Sequence, residues 1–167
     1  MLQKIASPKS LQPPVGGRFA IVASEYNARY VDGMLRSAGA LLKRLEVARV
    51  QVIRVPGAFE IPVVAGALVR TQSAQWDAVI CLGVILRGAT THAQSISAAV
   101  SFELARLQSE YGIPLIHEVL LLESATQARE RCLNQDCNRG EEAALTAVRM
   151  ARVMKELQRN GGTVRHG

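Results

Sequence analysis

Chemically active residue types are concentrated in one short segment, RGATTH, which runs from Arg87 to His92. Its glycine lets the backbone turn sharply, and its two threonine hydroxyls can cap a helix or donate to a ligand. Free backbone N–H groups at a helix start bind anions such as phosphate, and a neighbouring imidazole can move protons. The segment therefore indicates a phosphate site beside a proton carrier, or a capped helix with a solvated histidine in its first turn.

Three further segments carry polar or aromatic residues that suit a binding site: SEYN, which begins at Ser24, PGAFE, which begins at Pro56, and ES, which begins at Glu123. Tyr26 in the first could stack on a flat ring or cover the edge of a sheet. Glu60 in the second could accept hydrogen bonds from sugar hydroxyls, or it could be favoured there by a helix dipole. Both pairs of alternatives stay open on the sequence alone.

Each of these segments follows an apolar run that has the composition of a buried strand. Strands are predicted at Phe19–Ala23, Val50–Val55, Ala78–Ile85 and Leu115–Leu122. Helical spacing of apolar residues predicts a helix that carries Val31 to Leu45, a second over 58–70, and a third that begins near His92 and ends at Tyr111-Gly112. Two more helices are predicted to start near Ser124 and Asn138. The last of these helices is expected to carry Ala147, Met150, Met154 and Leu157 along one side.

This alternation of strands and helices predicts the α/β class: a three-layer α/β/α sandwich around a four-stranded parallel, flavodoxin-like sheet. Ligands of such sheets bind outside the carboxyl ends of the strands. The four polar segments all follow strands, so they are expected to meet at one rim of the sheet. That common position favours a ligand site over four unrelated turns.

Two adjacent polar residues, His117 and Glu118, interrupt the fourth apolar run. Neighbouring side chains of a strand point to opposite faces of the sheet, and burying an unpaired polar group is costly. At least one of the two side chains is therefore expected to meet solvent, a ligand or a partner chain.

The chain has 167 residues, of which 49% are apolar and 4% aromatic, and this suits one domain with a large aliphatic core. We expect a flexible arm at 1–17, a single domain at 18–158 and a frayed tail at 159–167. The net charge of +6 is spread along the chain without a run of Lys or Arg, and stacking aromatics are few. Nucleic acid is therefore a disfavoured partner, and the sequence has no apolar stretch long enough to span a membrane.

The three cysteines, Cys81, Cys132 and Cys137, have no zinc-site spacing, and Cys81 is expected to be a small core residue. An odd number of cysteines without a disulfide pattern favours a reducing, cytoplasmic location. No metal site is expected from these residues.

Three stretches of the chain resemble the lumazine synthase family: RVPGAFEIPVVAGAL from Arg54, CLGVILRGATTH from Cys81, and ARERCLNQDCNRGEEAALTAVRMA from Ala128. The resemblance implies a transferase of riboflavin biosynthesis. It would condense 5-amino-6-(D-ribitylamino)uracil with 3,4-dihydroxy-2-butanone 4-phosphate to give 6,7-dimethyl-8-ribityllumazine, without metal or redox cofactor. The resemblance also implies homopentamers, in some members assembled into icosahedral shells, whose sites lie between neighbouring subunits.

The resemblance further implies a role for individual residues. His92 would transfer protons, and the phosphate would be bound by Ala89, Thr90 and the next subunit's copy of Arg131. The pyrimidine and the ribityl chain would be bound by Tyr26, Ala58, Phe59, Glu60, Val84, Ile85, Leu86 and, from a neighbouring subunit, His117.

The chain also departs from the family pattern. His117 stands where the family usually has Phe, Glu118 where it usually has Gly, and Gln135 where many members carry Lys. The bend before Gly140 lacks the glycines of shell-forming members, which disfavours an icosahedral shell. The departures at His117 and Glu118 motivate a second hypothesis, a non-catalytic flavin- or lumazine-binding or shell-forming assembly protein of the same fold. A basic nucleic-acid-binding α/β domain is the third.

Overall fold

A computed structural model describes residues 17–71 and 75–161 of the chain. Apart from Gly17, the predicted arm lies outside the described residues, as does the end of the predicted tail. The four strands are β1 (Arg18–Ser24), β2 (Arg49–Val55), β3 (Ala78–Leu86) and β4 (Leu115–Leu122). The five helices are α1 (Ala28–Arg44), α2 (Ile61–Thr71), α3 (His92–Tyr111), α4 (Ala125–Cys132) and α5 (Arg139–Gly161). The predicted order of strands and helices is confirmed.

The strands form one parallel sheet in the order β2-β1-β3-β4, which confirms the predicted three-layer, flavodoxin-like sandwich. Alternate residues of each strand contribute to two separate cores. Phe19 and Ile21 of β1 pack towards α1, α4 and α5, whereas Ala20 and Val22 pack towards α2 and α3. Cys81 lies in the second core, as predicted. Because both faces are covered, the central strands are apolar without alternation.

The predicted start of the second helix needs correction. Residues Ala58–Glu60 form a 3-10 turn, and α2 begins only at Ile61. Pro62 explains the later start, because a proline has no N–H and fits a helix only within its first turn.

The buried face of α5 also differs from the predicted one. Ala147 is buried as expected, but Met150 and Leu157 are exposed and Met154 is half-buried. Most of the residues that reach the core, apart from Leu145, are small: Ala143, Ala144, Ala147, Val148 and Ala151. Small residues let the helix axis lie close to its neighbours, and a pattern based on large apolar residues misses such a face.

Close packing between α1 and the start of α5 depends on Gly140. A Cβ atom built on Gly140 would overlap the backbone of Met34 in α1. A backbone cannot yield as a flexible side chain can, so a larger residue would have to push the two helices apart.

We expect Gly140→Ala to lower the free energy of unfolding by about 1–3 kcal/mol through overpacking. Gly39→Ala is the matched control, because Gly39 lies in α1 and a Cβ added there would have no atom of another element within 4 Å. At that position the better helix propensity of alanine should raise stability by up to about 1 kcal/mol. Urea unfolding of both variants measures the difference, and equal effects would contradict the packing argument.

Candidate active site

A pocket of about 640 Å³ lies at the carboxyl ends of β1, β2 and β3. The strand order reverses between β1 and β3, and this switch point is where open α/β sheets bind ligands. Nine residues predicted to form a site line the pocket together: Tyr26, Ala58, Phe59, Glu60, Val84, Ile85, Leu86, Thr90 and His92. Three predicted residues, Ala89, His117 and Arg131, are not among its lining.

Main-chain hydrogen bonds join the loops that follow β1 and β2. The N–H of Glu25 donates to the carbonyl of Val55 at 2.7 Å, and the N–H of Tyr26 donates to that of Pro56 at 2.9 Å. These two bonds continue the pairing of the strands past their ends. They hold the loop of Tyr26 beside the PGAFE segment, so the pocket has a fixed wall.

Asn27 is a pocket residue that the sequence analysis did not single out. Its backbone is left-handed, with φ of 58°, and its side-chain amide donates to the carbonyl oxygen of Val84 at 2.8 Å. Asparagine tolerates this conformation better than most other side chains do. An asparagine shortly after a strand was therefore the sequence feature that could have indicated a left-handed turn here. The bond joins the start of α1 to the end of β3, and both residues line the pocket.

The aromatic rings at the pocket are unusually exposed for apolar groups. Tyr26 is 73% exposed and Phe59 is 60% exposed. A ring this open covers little of the sheet edge, which favours the stacking interpretation of Tyr26. Exposed apolar surface around a pocket is typical of a site that a ligand or another chain covers.

The carboxylate of Glu60 lies over Gly57, in the 3-10 turn that precedes α2. Its Oε2 atom is 2.8 Å from the position that a Cβ on Gly57 would occupy, so a larger residue there would displace the end of the Glu60 side chain. Glu60 lines the pocket and also directly precedes the first residue of α2. Its carboxylate is therefore available to ligand hydroxyls and is favoured by the helix dipole as well.

The start of α3 has no side-chain cap. His92 is the first residue of the helix and Thr91 occupies the N-cap position, but the Thr91 hydroxyl makes no capping hydrogen bond. The threonine-cap interpretation is therefore wrong for Thr91. Thr90, Thr91 and His92 are all exposed, so their polar groups and the first N–H groups of the helix are available to an anion.

His117 and Arg131 lie away from the pocket. His117 is exposed on the edge strand β4, where its Nε2 atom is 2.9 Å from the hydroxyl oxygen of Ser101. Ser101 donates its own hydrogen to the carbonyl of Ser97, so the imidazole is the donor in this pair. Arg131 is half-buried in the last turn of α4.

Glu118 points to the opposite face of the sheet from His117, as the strand geometry predicted. It is only 5% exposed, and the Nε atom of Arg139 donates to its carboxylate at 2.6 Å. Arg139 also pairs with Glu142. Burial raises the pKa of the Glu118 carboxyl above its usual range, and the Arg139 charge opposes this shift without cancelling it. The expectation that one of the two polar residues meets solvent is confirmed by His117.

The fold and the pocket together define a small α/β sandwich protein with a ligand site at the switch point of a parallel sheet. A sequence model of the 6,7-dimethyl-8-ribityllumazine synthase family matches residues 16–155. Two proteins from Stenotrophomonas maltophilia, strains R551-3 and K279a, are named 6,7-dimethyl-8-ribityllumazine synthase. Each is 36% identical over 149 residues, which cover 88% of this chain and 95% of the relative. The chain belongs to the lumazine synthase family, as the resemblance predicted.

None of the helices in residues 17–71 and 75–161 is long and apolar enough to cross a membrane.

The raised pKa of Glu118 predicts how stability depends on pH. The folded state holds the proton more tightly than the unfolded state, so the contribution of Glu118 is greatest below the unfolded pKa and is lost as the pH rises through the folded one. We expect the free energy of unfolding of the wild type, minus that of Glu118→Gln, to fall as the pH rises above the ordinary glutamate pKa of about 4.3. Urea unfolding across this range measures it, and a difference that rises with pH would contradict the shift.

Proposed function

We propose that this chain catalyses the synthesis of 6,7-dimethyl-8-ribityllumazine from 5-amino-6-(D-ribitylamino)uracil and 3,4-dihydroxy-2-butanone 4-phosphate. The observation that carries the proposal is the meeting of Glu60, Thr90 and His92 in one pocket at the uncapped start of α3. That pocket offers an acceptor for hydroxyls, donors for a phosphate and a group for proton transfer. Membership of the family supports the same assignment.

The lining suggests where each part of the substrates lies. The pyrimidine stacks on the exposed ring of Tyr26 and faces the end of β3 at Val84, Ile85 and Leu86. The ribityl chain follows Ala58 and Phe59, and its hydroxyls donate to the Glu60 carboxylate. The phosphate of the ketone binds the turn at Ala89 and Thr90, where the dipole of α3 favours negative charge.

The chemistry that the family resemblance implies has three stages. The uracil amine forms an imine with the ketone, phosphate is eliminated, and the ring closes. Holding both substrates in register supplies much of the acceleration, and the positive end of α3 stabilises the departing phosphate. His92 lies beside this turn and shuttles protons between the stages.

A complete site would need two copies of the chain. His117 and Arg131 lie outside the pocket of their own subunit, one exposed on the edge strand and the other at the end of α4. We propose that both serve the pocket of a neighbouring copy in a homopentamer or a multiple of pentamers. The three free cysteines favour a cytoplasmic location.

The non-catalytic alternative has less support. A protein that only binds flavin or lumazine would have no need of a phosphate site or of a proton carrier. Thr90, His92 and Arg131 are nevertheless all present, and the first two share the pocket with Glu60. Glu118, one of the departures that motivated the alternative, is buried away from the pocket and paired with Arg139.

His92→Gln should lower kcat by about tenfold, less than general acid–base catalysis usually contributes, because positioning of the substrates remains. The absorbance of the lumazine product follows the rate. Ser95→Ala is a suitable control, because Ser95 is exposed in the same helical turn but does not line the pocket. An unchanged kcat for His92→Gln would contradict its role, and a wild type that forms no lumazine would contradict the proposed activity.

Two inactive variants should complement each other if a site takes residues from two copies. Glu60→Gln impairs the pocket, and Arg131→Ala impairs the contribution to the neighbour. Mixed oligomers made by co-expression in equal amounts should recover about a quarter of wild-type activity, because a quarter of the interfaces then pair an intact Glu60 with an intact Arg131. Mixing the two purified assemblies without dissociation is the control. No recovery in mixed oligomers would contradict a shared site.

A further inference from the structure

The carboxylate of Glu118 does not line the pocket that contains His92. It is nevertheless buried, and burying a carboxylate costs free energy. It lies on β4 at 5% exposure, on the sheet face covered by α4 and α5. Removing a carboxylate from water is repaid only by well-placed partners. Arg139, the first residue of α5, supplies that partner through its Nε atom at 2.6 Å.

Asn138, which is 5% exposed, bridges the two ends of the connection between α4 and α5. Its side-chain amide donates to the carbonyl of Cys132 at 2.7 Å, and its Oδ1 atom accepts from the N–H of Gly140 at 2.9 Å. The end of α4 and the start of α5 are thus held together as one compact turn. Arg139 lies inside that turn, so its bond to Glu118 joins the whole turn to β4.

Arg131 directly precedes the residue at which this turn begins. It lies in the last turn of α4, one position before Cys132, and its side chain is half-buried. Its positive charge acts on the Glu118 carboxyl in the same direction as that of Arg139, opposing the rise in pKa that burial causes. The Arg131 guanidinium is therefore close enough to the buried Glu118 carboxylate to interact with it electrostatically. The Arg131 backbone also continues directly into the turn that Glu118 holds in place.

We propose that Glu118 is a positioning residue for Arg131: through Arg139 it fixes the turn between α4 and α5, so that Arg131 presents its guanidinium to a phosphate in the pocket of a neighbouring copy. This inference rests on the proposed function of Arg131. Glu118 itself does not touch the substrate. Its effect arises because a displacement of a binding group by about 1 Å weakens its action substantially.

The test is a titration of the assembled, full-length protein with inorganic phosphate, followed by calorimetry. Glu118→Gln keeps the shape of the side chain but removes its charge, and it should weaken phosphate binding about tenfold. Glu142→Gln removes the other carboxylate that pairs with Arg139 and leaves Glu118 in place, so phosphate binding should stay at the wild-type level.

A double-mutant cycle separates positioning from general loosening of the fold. In a protein that already carries Arg131→Ala, the change Glu118→Gln should have no further effect on phosphate binding, because the group that it positions is gone. An effect of the same size in that background would overturn the proposal. So would wild-type phosphate affinity in the single variant Glu118→Gln. If that variant does not assemble, Arg139→Gln tests the same pair from its other side in the same cycle.

The proposed function is tested separately from the role of Glu118, by measuring how fast the wild type turns over the two substrates. A wild type that binds phosphate through Arg131 but forms no lumazine would contradict the proposed activity and leave the role of Glu118 intact. A wild type that forms lumazine, with phosphate binding insensitive to Glu118→Gln, would contradict only the role of Glu118.

Discussion

The parallel pairing of β1 with both β2 and β3 is the constraint on which the rest of the structure depends. A strand between two parallel neighbours must be covered on both faces, which accounts for the five helices and for the two separate cores. The same arrangement brings three strand ends to one rim and sends the chain in opposite directions from β1. The pocket lies between the loop that leaves β1 towards β2 and the loop that follows β3, so its position is a consequence of the strand order.

Most of the fold was predictable because it follows from periodic patterns. The apolar runs at β1 and β3 and the spacing of leucines in α1 indicate the correct element types. The face of α5 was not predictable in this way. Its buried residues are mainly alanines, whose contribution comes from permitting close approach to α1, and such a face becomes visible only when the partner helix is known. The late start of α2 depended on a single proline.

The site was predictable to the extent that it is built from segments that follow strands. Glu60, Thr90 and His92 were identified by their position, and the pocket brings them together. Asn27 was missed because its contribution is a long-range bond to the carbonyl of Val84, which local sequence does not reveal. The pairing of Glu118 with Arg139 was missed for the same reason, since the two residues meet only through packing of α5 on the sheet.

The uncapped start of α3 has a consequence for the stability of the resting protein. A side-chain cap at this position would contribute about 1 kcal/mol, and the exposed threonines leave that contribution unused. A bound anion would provide the missing hydrogen bonds, so the occupied protein is more stable than the empty one by linkage. If an anion binds there as proposed, the ligand would complete this helix, and the stability given up at its start would be the cost of keeping the position open.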